Sequence, residues 1–153
     1  MAEAKQHKNI AENRRARFDY EISDTYEAGL ELSGMEAKSA RLGGMNLSGS
    51  HALVKKGEVW LLNSQIMPFQ PKNAGSDYEP TRFRRLLLHG AEIAILANRL
   101  QEKGWSLVPL RAYLKKNLVK VELGLGRSKK AHDKRDTIKK RDVKREIDRS
   151  RAR

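Results

Sequence analysis

The chain has 153 residues, with 32 Lys and Arg against 19 Asp and Glu, which gives a net charge of +13 and a pI of about 10.2. This length predicts one domain with appendages, and so large a basic excess indicates a polyanionic partner, either nucleic acid or an acidic membrane surface. The absence of cysteine excludes disulfide frameworks, thiol catalysis and cysteine zinc sites and fits a reducing cytoplasm, and the longest apolar run in the helical part, 93–97, is far too short to span a membrane.

The first third of the chain is predicted to contain two strands and a helix. Residues 1–12 are polar, lack the apolar core of a signal peptide and are predicted to be a flexible N-terminus. Apolar and polar residues alternate in 18–22 and in 28–32, which is the period of half-buried strands. Residues 35–42 are compatible with a helix that ends at the glycine pair 43–44.

The middle of the chain is predicted to contain a hairpin, a loop and a further strand. Residues 50–54 and 58–62 flank the sequence Lys-Lys-Gly at 55–57, which is typical of a hairpin turn. Proline and glycine residues predict a loop over 67–81. Residues 86–88 have the composition of another short strand.

The last regular elements before the tail are a helix and a second hairpin. His89, with Glu92 three positions later, predicts a capping box at the start of the helix, and Gly104 predicts its end. Residues 106–114 and 118–125 are predicted to pair as a hairpin. About six short strands with two inserted helices predict a mainly β fold, in which antiparallel strands close into a barrel because closure removes exposed edges.

The charge is concentrated at the C-terminal end. Residues 127–153 contain 13 Lys and Arg against five Asp and Glu, a net charge of +8, whereas the preceding residues carry a net charge of +5. Because this segment has few apolar residues and no aromatic residue, it cannot bury enough surface to offset its chain entropy. We predict an RNA-binding barrel over 13–126 and a basic tail over 127–153 that is disordered when free and helical when bound.

No arrangement typical of an enzyme is recognisable. The four histidines, His7, His51, His89 and His132, are scattered over different elements, and no carboxylate cluster or metal-ligand spacing occurs. Residues 124–129, Gly-Leu-Gly-Arg-Ser-Lys, lack the glycine spacing and the following amphipathic helix of a phosphate loop. We therefore predict a non-enzymatic binding protein without a metal or a cofactor.

RNA is the partner that the pattern favours. Lys and Arg neutralise phosphates, and a β-barrel with basic loops is a common platform for structured or single-stranded RNA. Trp60 and Trp105 lie in apolar strand patterns and are more often core or barrel-surface residues than base-stacking platforms. A ribosomal or general RNA-chaperone protein is the alternative function, whereas a membrane-surface protein needs more apolar residues in the tail and a nuclease needs an acidic metal cluster.

Five strings, in order along the chain, carry a resemblance to a known family. They are NRRARFDYEI at 13–22, YEAGLELSGMEAKSARLGG at 26–44, PTRFRRLLLH at 80–89, LVPLRAY at 107–113 and SKKAHDKRDTIKKRD at 128–142. Together they resemble the SsrA-binding protein family, also called small protein B, from residue 13 to near the end of the chain.

The resemblance implies both a fold and a function. The expected fold is an oligonucleotide-binding-type closed barrel of about six antiparallel strands, with two or three inserted helices and a basic tail. The expected function is binding of the tRNA-like domain of transfer-messenger RNA and its delivery to stalled ribosomes for trans-translation. The tail is expected to enter the vacant messenger channel at the small-subunit decoding centre, in a cytoplasmic protein that acts as a monomer, one per RNA.

The resemblance also assigns roles to individual positions. The positions that match RNA-binding residues of the family are Asn13, Arg15, Arg17, Glu27, Glu36, Lys38, Ser39, Lys129 and Lys130. The positions that match contacts to the decoding centre are His132, Asp133, Lys134, Arg135, Lys139, Lys140 and Arg141.

Simpler interpretations of the acidic positions stay open at this point. Glu27 alternates outward from an apolar strand and could be merely solvated. Glu36 and Lys38 could form a surface pair worth less than about 1 kcal/mol. The sequence also departs from the family pattern at several positions. His is frequent at the position of Phe18, larger aliphatic residues are usual at those of Ala37 and Ala40, Tyr is frequent at that of His51, and Asn-His is common where Asp77-Tyr78 stands.

Overall fold

The computed structural model of the protein describes residues 8–69, 78–129 and 131–151, and within the last segment it describes the side chains of Arg135 and of residues 138–149. Nine strands and four helices lie in these ranges. In chain order they are β1 (Lys8–Glu12), α1 (Ala16–Asp19), β2 (Tyr20–Leu30), α2 (Gly34–Arg41), β3 (Met45–Asn46), β4 (His51–Lys55), β5 (Glu58–Leu62), β6 (Gln65–Ile66), β7 (Arg84–Leu87), α3 (Gly90–Arg99), β8 (Trp105–Lys115), β9 (Leu118–Ser128) and α4 (Ala131–Arg151).

Six of the described strands form a closed antiparallel ring. The strand order is β8, β4, β5, β7, β2 and β9, and β9 pairs again with β8 to close the ring. All of these pairings are antiparallel, so every strand of the ring has a partner on both edges. The mainly β fold of about six strands predicted from the sequence is confirmed.

Alternating residues of the strands fill the interior of the ring. In β9 the residues Val119, Val121, Leu123 and Leu125 are buried, as their alternation with Lys120 and other polar residues predicts. Buried side chains from every strand of the ring, together with Leu96 of α3 and Ala40 of α2, join them in one hydrophobic cluster. This packing fixes which strand residues point outward and are available to a partner.

The two predicted hairpins are confirmed, and their turns explain their register. Lys56 and Gly57 between β4 and β5 have φ angles of 52° and 75°, and Lys116 and Asn117 between β8 and β9 have φ angles of 51° and 65°. Positive φ at both central residues is the geometry of the two-residue turn whose twist matches antiparallel strands. Both turns therefore place lysine side chains at hairpin tips.

The N-terminal part of the fold differs from the sequence prediction. Lys8–Glu12, predicted to be flexible, forms β1 because its backbone pairs with the C-terminal half of β8 while Ile10 and Ala11 pack against the core. Phe18, predicted to begin a strand, lies instead in α1, where its backbone N–H donates to Arg15 O at 3.1 Å. The strand begins only at Tyr20 and continues without interruption to Leu30.

Glutamates at the third position stabilise the starts of α2 and α3. Ser33 and Glu36 form a reciprocal capping box at α2, in which each side chain accepts a hydrogen bond from the backbone N–H of the other residue. At α3 the Glu92 carboxylate accepts from the His89 backbone N–H at 3.3 Å. The sequence predicted the second of these pairs and missed the first.

Gly126 allows close contact between β9 and β2. A Cβ atom at this position would lie 2.5 Å from Glu21 O, a backbone atom that cannot move without breaking the strand pairing. We expect Gly126→Ala to lower the free energy of unfolding by about 3 kcal/mol, measured by urea denaturation. Gly34→Ala is the matched control, because nothing lies within 4 Å of its Cβ position; equal effects of the two substitutions would contradict the steric explanation.

The basic tail is helical in the structure. Residues Ala131–Arg151 form one helix of 21 residues, α4. That the tail is disordered when free and helical when bound stays a prediction. The segment has no proline or glycine and is rich in Lys and Arg, which favour helix. The strand β9 continues to Ser128, two residues beyond the end of the predicted barrel domain at residue 126. None of the described helices is long and apolar enough to cross a membrane.

Candidate nucleic-acid interface

Glu27 lies on the outer surface of the ring and is held by two residues of β8. The Tyr113 hydroxyl donates a hydrogen bond to Glu27 Oε2, and Lys115 Nζ donates to Oε1 at 3.1 Å and to Oε2 at 3.4 Å. The Tyr113 hydrogen bond, aided by Lys115 and by the charge of Lys120, outweighs desolvation and lowers the pKa of Glu27. The carboxylate is therefore charged and fixed in direction, unlike a merely solvated surface glutamate.

Lys120 and Leu87 extend this surface across neighbouring strands. Gly29 of β2 pairs with Lys120 of β9 on one side and with Leu87 of β7 on the other. A Cβ atom at Gly29 would lie 3.6 Å from Lys120 Nζ and 3.5 Å from Leu87 Cβ, so both side chains close over the glycine. We call the surface formed by Glu27, Lys115, Lys120 and Leu87 the Glu27 face; Tyr113, which holds Glu27 in place, is only 3% exposed and lies beneath this surface.

The sequence identified Glu27 and missed its partners. Tyr113 and Lys115 are 86 and 88 positions away from Glu27 in the chain, so no local period connects them to it. The outward alternation of Lys120 in β9 was visible in the sequence, and Tyr113 lies within one of the five family strings. Neither signal named these residues as site candidates or placed them beside Glu27, and Tyr113 is only 3% exposed.

Asn13 is nearly buried and anchors the chain before α1. Its Nδ2 donates to Pro109 O at 3.0 Å, and its backbone N–H donates to Leu110 O at 2.9 Å. The residue is 9% exposed. These bonds give Asn13 a positioning role for the arginines that follow it, and its predicted contact with RNA stays a prediction.

A basic groove joins the N-terminal segment to the tail helix. It has a volume of about 570 Å³, and arginines form most of its wall against two glutamates; its lining includes Arg14, Arg17, Arg111, Arg141, Arg145, Glu12 and Glu122. Arg15 lies nearby, 3.4 Å from Asp19 Oδ1, and its guanidinium lies 5.2 Å from the Phe18 ring centre. The guanidinium of Arg141 lies 5.6 Å from the same ring centre. The structure thus places Arg17 and Arg141, which were predicted to contact different RNAs, in one groove.

Glu36 lies inside the protein, so the prediction that it faces RNA is wrong. Its side chain is 1% exposed and accepts hydrogen bonds from Arg84 Nη2 at 2.6 Å and from Arg82 Nη2 at 2.5 Å. Burial by itself raises the pKa of Glu36, but hydrogen bonds from Arg82, the Ser33 backbone and Arg84 outweigh it and lower the pKa from 4.5 to about 2. The interpretation of Glu36 and Lys38 as a surface pair is likewise wrong.

Ser39 and Lys38, next along α2, have different surroundings. Ser39 is 5% exposed, and its Oγ donates to Met67 O at 2.5 Å, so this hydroxyl connects α2 to the segment after β6 instead of facing RNA. Lys38 is exposed, and its Nζ lies 5.7 Å from the centre of the Phe69 ring. Only Lys38 of this pair is positioned to reach a phosphate, and its contact with RNA stays a prediction.

The tail residues named from the sequence are only partly described. The Lys129 backbone N–H donates to Asp19 O at 2.9 Å, which connects the end of β9 to α1. Lys130 and the side chains of His132, Asp133 and Lys134 lie outside the described residues. Arg135, Lys139, Lys140 and Arg141 are exposed on α4. The predicted contacts of these residues with the ribosome stay predictions.

Comparison with known proteins agrees with this arrangement. The SmpB protein family model matches residues 10–153. The SsrA-binding protein of Chlorobaculum tepidum is 55% identical over 136 residues, which cover 88% of this chain and 86% of that protein. The SsrA-binding protein of Synechococcus elongatus is 50% identical over 150 residues, which cover 98% of this chain and 97% of that protein.

A solved structure is similar as well. It is described as "tmRNA-SmpB: a journey to the center of the bacterial ribosome", and its chain is 47% identical with a TM-score of 0.65. The match covers 78% of this chain and 84% of that chain. The agreement of family model, relatives and structure over nearly all of the sequence shows that the chain belongs to the SmpB family.

Proposed function

We propose that this chain binds the tRNA-like domain of transfer-messenger RNA and delivers it to stalled ribosomes for trans-translation, as a non-enzymatic, monomeric protein of the cytoplasm. The relatives are named SsrA-binding proteins, and the similar solved structure concerns tmRNA and SmpB on the bacterial ribosome. The observation that carries the proposal is the Glu27 face, an oriented carboxylate among cations on the outside of a chain that matches this family.

The chemistry of the Glu27 face suits structured RNA. A carboxylate near a phosphate backbone is repelled unless it accepts from a base N–H or a ribose 2′-hydroxyl, both of which unpaired loops of folded RNA expose. Lys115 Nζ, 3.1 Å from Glu27, and Lys120 offset that repulsion and are placed to contact flanking phosphates. The face therefore combines a single directional acceptor with nonspecific attraction, and most of its recognition is of shape.

The tail supports the ribosome step by its charge and exposure. Residues 127–153 carry a net charge of +8, and Arg135, Lys139 and Lys140 are exposed on α4. A solvated helix with this charge is suited to contact ribosomal RNA phosphates without using the Glu27 face. The body and the tail thus give the protein two RNA-binding surfaces, one for each partner.

Glu27→Gln tests the body surface. The substitution keeps the size of the side chain but removes the negative charge of the group that accepts a hydrogen bond from RNA. Loss of one charged hydrogen bond predicts a rise of about tenfold in Kd for the tRNA-like domain. Kd is measured by filter binding at one fixed salt concentration, because salt alone changes it strongly. Glu21→Gln, an exposed carboxylate of the same strand, is the control. Equal Kd values for wild type and Glu27→Gln would contradict a role for this carboxylate.

The RNA that co-purifies with the chain tests the whole proposal. The protein is cross-linked in cells, isolated under denaturing conditions, and its RNA is sequenced. Strong enrichment of transfer-messenger RNA is expected. Recovery of ribosomal RNA, without enrichment of transfer-messenger RNA, would instead identify the ribosomal or RNA-chaperone alternative.

A further inference from the structure

A second outward surface, on β4, β5 and β7, carries an apolar groove of about 350 Å³. Its floor and sides are formed by Leu53, Trp60, Leu62 and Phe83. Leu53 and Trp60 are direct partners across β4 and β5, so their side chains lie on the same outer face. Phe83 is 59% exposed, so its ring is accessible to a ligand.

The two aromatic rings of this groove are available to a ligand. Phe18, Phe69 and Trp105 each have a Lys or Arg side chain of the protein over the ring, with Arg99 4.4 Å from the Trp105 ring centre. Among the residues that the structure describes, no cation lies over Trp60 or Phe83. Phe83 is 59% exposed and Trp60 is partly exposed, so both rings present surface to a flat partner in the groove.

Cations surround the groove on the side of the hairpin turn. Lys55 and Lys56 line it and are exposed at the tip of the β4–β5 hairpin. Glu58, the acidic residue of the lining, is paired with Arg85, whose Nε lies 3.2 Å from Glu58 Oε2. Since Arg85 pairs with Glu58, the two lysines of the lining leave an excess of positive charge, which fits a polyanion.

The groove is continuous with the Glu27 face. Trp60 of β5 pairs with Arg85 of β7, and Leu87, two residues further along the same face of β7, pairs with Gly29 beneath Lys120. Leu87 is 47% exposed and is the residue of the Glu27 face on the strand that borders the groove. One RNA that occupies the Glu27 face can therefore reach the groove without leaving the outer surface of the ring.

We propose that this groove binds an unpaired base of the RNA, stacked on Trp60 and Phe83, with the adjoining phosphates on Lys55 and Lys56. The combination of exposed aromatic faces and a cationic rim is the chemistry that binds single-stranded nucleotides with little sequence preference. Folded RNA supplies such bases from loops and bulges. The inference rests on the proposed function for the identity of the RNA, and it assigns Trp60 the stacking role that its sequence pattern did not favour.

The test uses the full-length chain with Trp105→Phe, so that Trp60 gives the only tryptophan emission. Two probes of equal charge are compared: octaadenylate and an abasic ribose-phosphate chain of the same length. Octaadenylate is expected to quench Trp60 and the abasic chain is not. Phe83→Ala is expected to raise Kd for octaadenylate about tenfold, because one stacking surface is lost. Phe83→Tyr should restore affinity, and Leu42→Ala, at another exposed apolar residue, should leave it unchanged.

Absence of quenching, or equal binding of the two probes, would overturn the stacking proposal. Unchanged octaadenylate affinity in Phe83→Ala together with loss of a protein partner would also overturn it, and would assign the groove to protein docking. The same variants are assayed with transfer-messenger RNA. If the unsubstituted chain shows no preference for that RNA, the proposed function fails, while quenching by octaadenylate still decides the role of the groove.

Discussion

Glu36→Gln is expected to lower the free energy of unfolding by about 3–5 kcal/mol, because it leaves a buried arginine without its counter-charge. Arg84 is 0% exposed, and Glu36 is its carboxylate partner, at 3.0 Å from Nε and 2.6 Å from Nη2. The remaining hydrogen bonds of Arg84 go to neutral oxygens, including Ser64 O at 3.1 Å and Pro80 O at 3.0 Å. An amide in place of the carboxylate keeps the shape of the site and removes its negative charge.

The same pair predicts a pH dependence with a definite sign. The pKa of Glu36 is lowered from 4.5 to about 2 in the folded protein. A lowered carboxylate pKa stabilises the fold at pH values above the unfolded pKa, and this contribution, on the order of 3 kcal/mol, is lost as pH falls from about 5 towards 2. The stability difference between wild type and Glu36→Gln should therefore be largest at neutral pH and shrink through this window.

Urea denaturation of both chains at pH 7, 4 and 3 measures this difference. Glu58→Gln provides the control, because the Glu58 and Arg85 side chains are 40% and 45% exposed and such a surface pair contributes less than about 1 kcal/mol. A Glu36→Gln variant with the stability of Glu58→Gln, or with the pH profile of wild type, would refute the interior role of Glu36.

Local patterns in the sequence predicted the parts of the fold that are locally determined. The alternation in β9 and the two hairpin turns depend on residues close in the chain, and both were correct. The buried ion pair between Glu36 and Arg84 was missed because these two residues are 48 positions apart in the chain. In sequence, Glu36 follows a capping serine and precedes Lys38, which is also how a solvated helix start looks, so only the fold shows that it is buried.

The candidate interface divides in the same way. The outward direction of Glu27 followed from strand alternation, whereas its contacts to Tyr113 and Lys115 depend on how β2, β9 and β8 pair around the ring. The two tryptophans also could not be distinguished from sequence. Both lie in apolar strands and each lines a groove, but the guanidinium groups of Arg99 and Arg127 lie over the Trp105 ring, whereas no cation among the described residues lies over Trp60.

A chain that ends at Lys129 is expected to bind transfer-messenger RNA almost as tightly as the full chain and to lose ribosome rescue by on the order of 100-fold, since it lacks the phosphate contacts of the tail. The structure determines where the cut belongs. Arg127 and Ser128 still pair with Glu21 and Tyr20, and the Lys129 backbone N–H donates to Asp19 O at 2.9 Å. A cut after residue 126, the boundary predicted from sequence, would remove these bonds and confuse loss of the tail with damage to the body.

Kd for the isolated RNA and the yield of tagged peptide from stalled ribosomes are measured on the same protein preparations. A full-length chain with Arg135, Lys139 and Lys140 changed to Gln serves as the matched variant, because it keeps the length of the tail and removes three exposed charges. This variant should lose rescue while retaining RNA affinity, which would show that the charge of α4, and not merely its presence, contacts the ribosome. If truncation instead lowers the affinity for transfer-messenger RNA more than tenfold, the basic groove, to which Arg141 and Arg145 of α4 contribute, belongs to the surface that binds this RNA. Body and tail would then act as one RNA-binding unit.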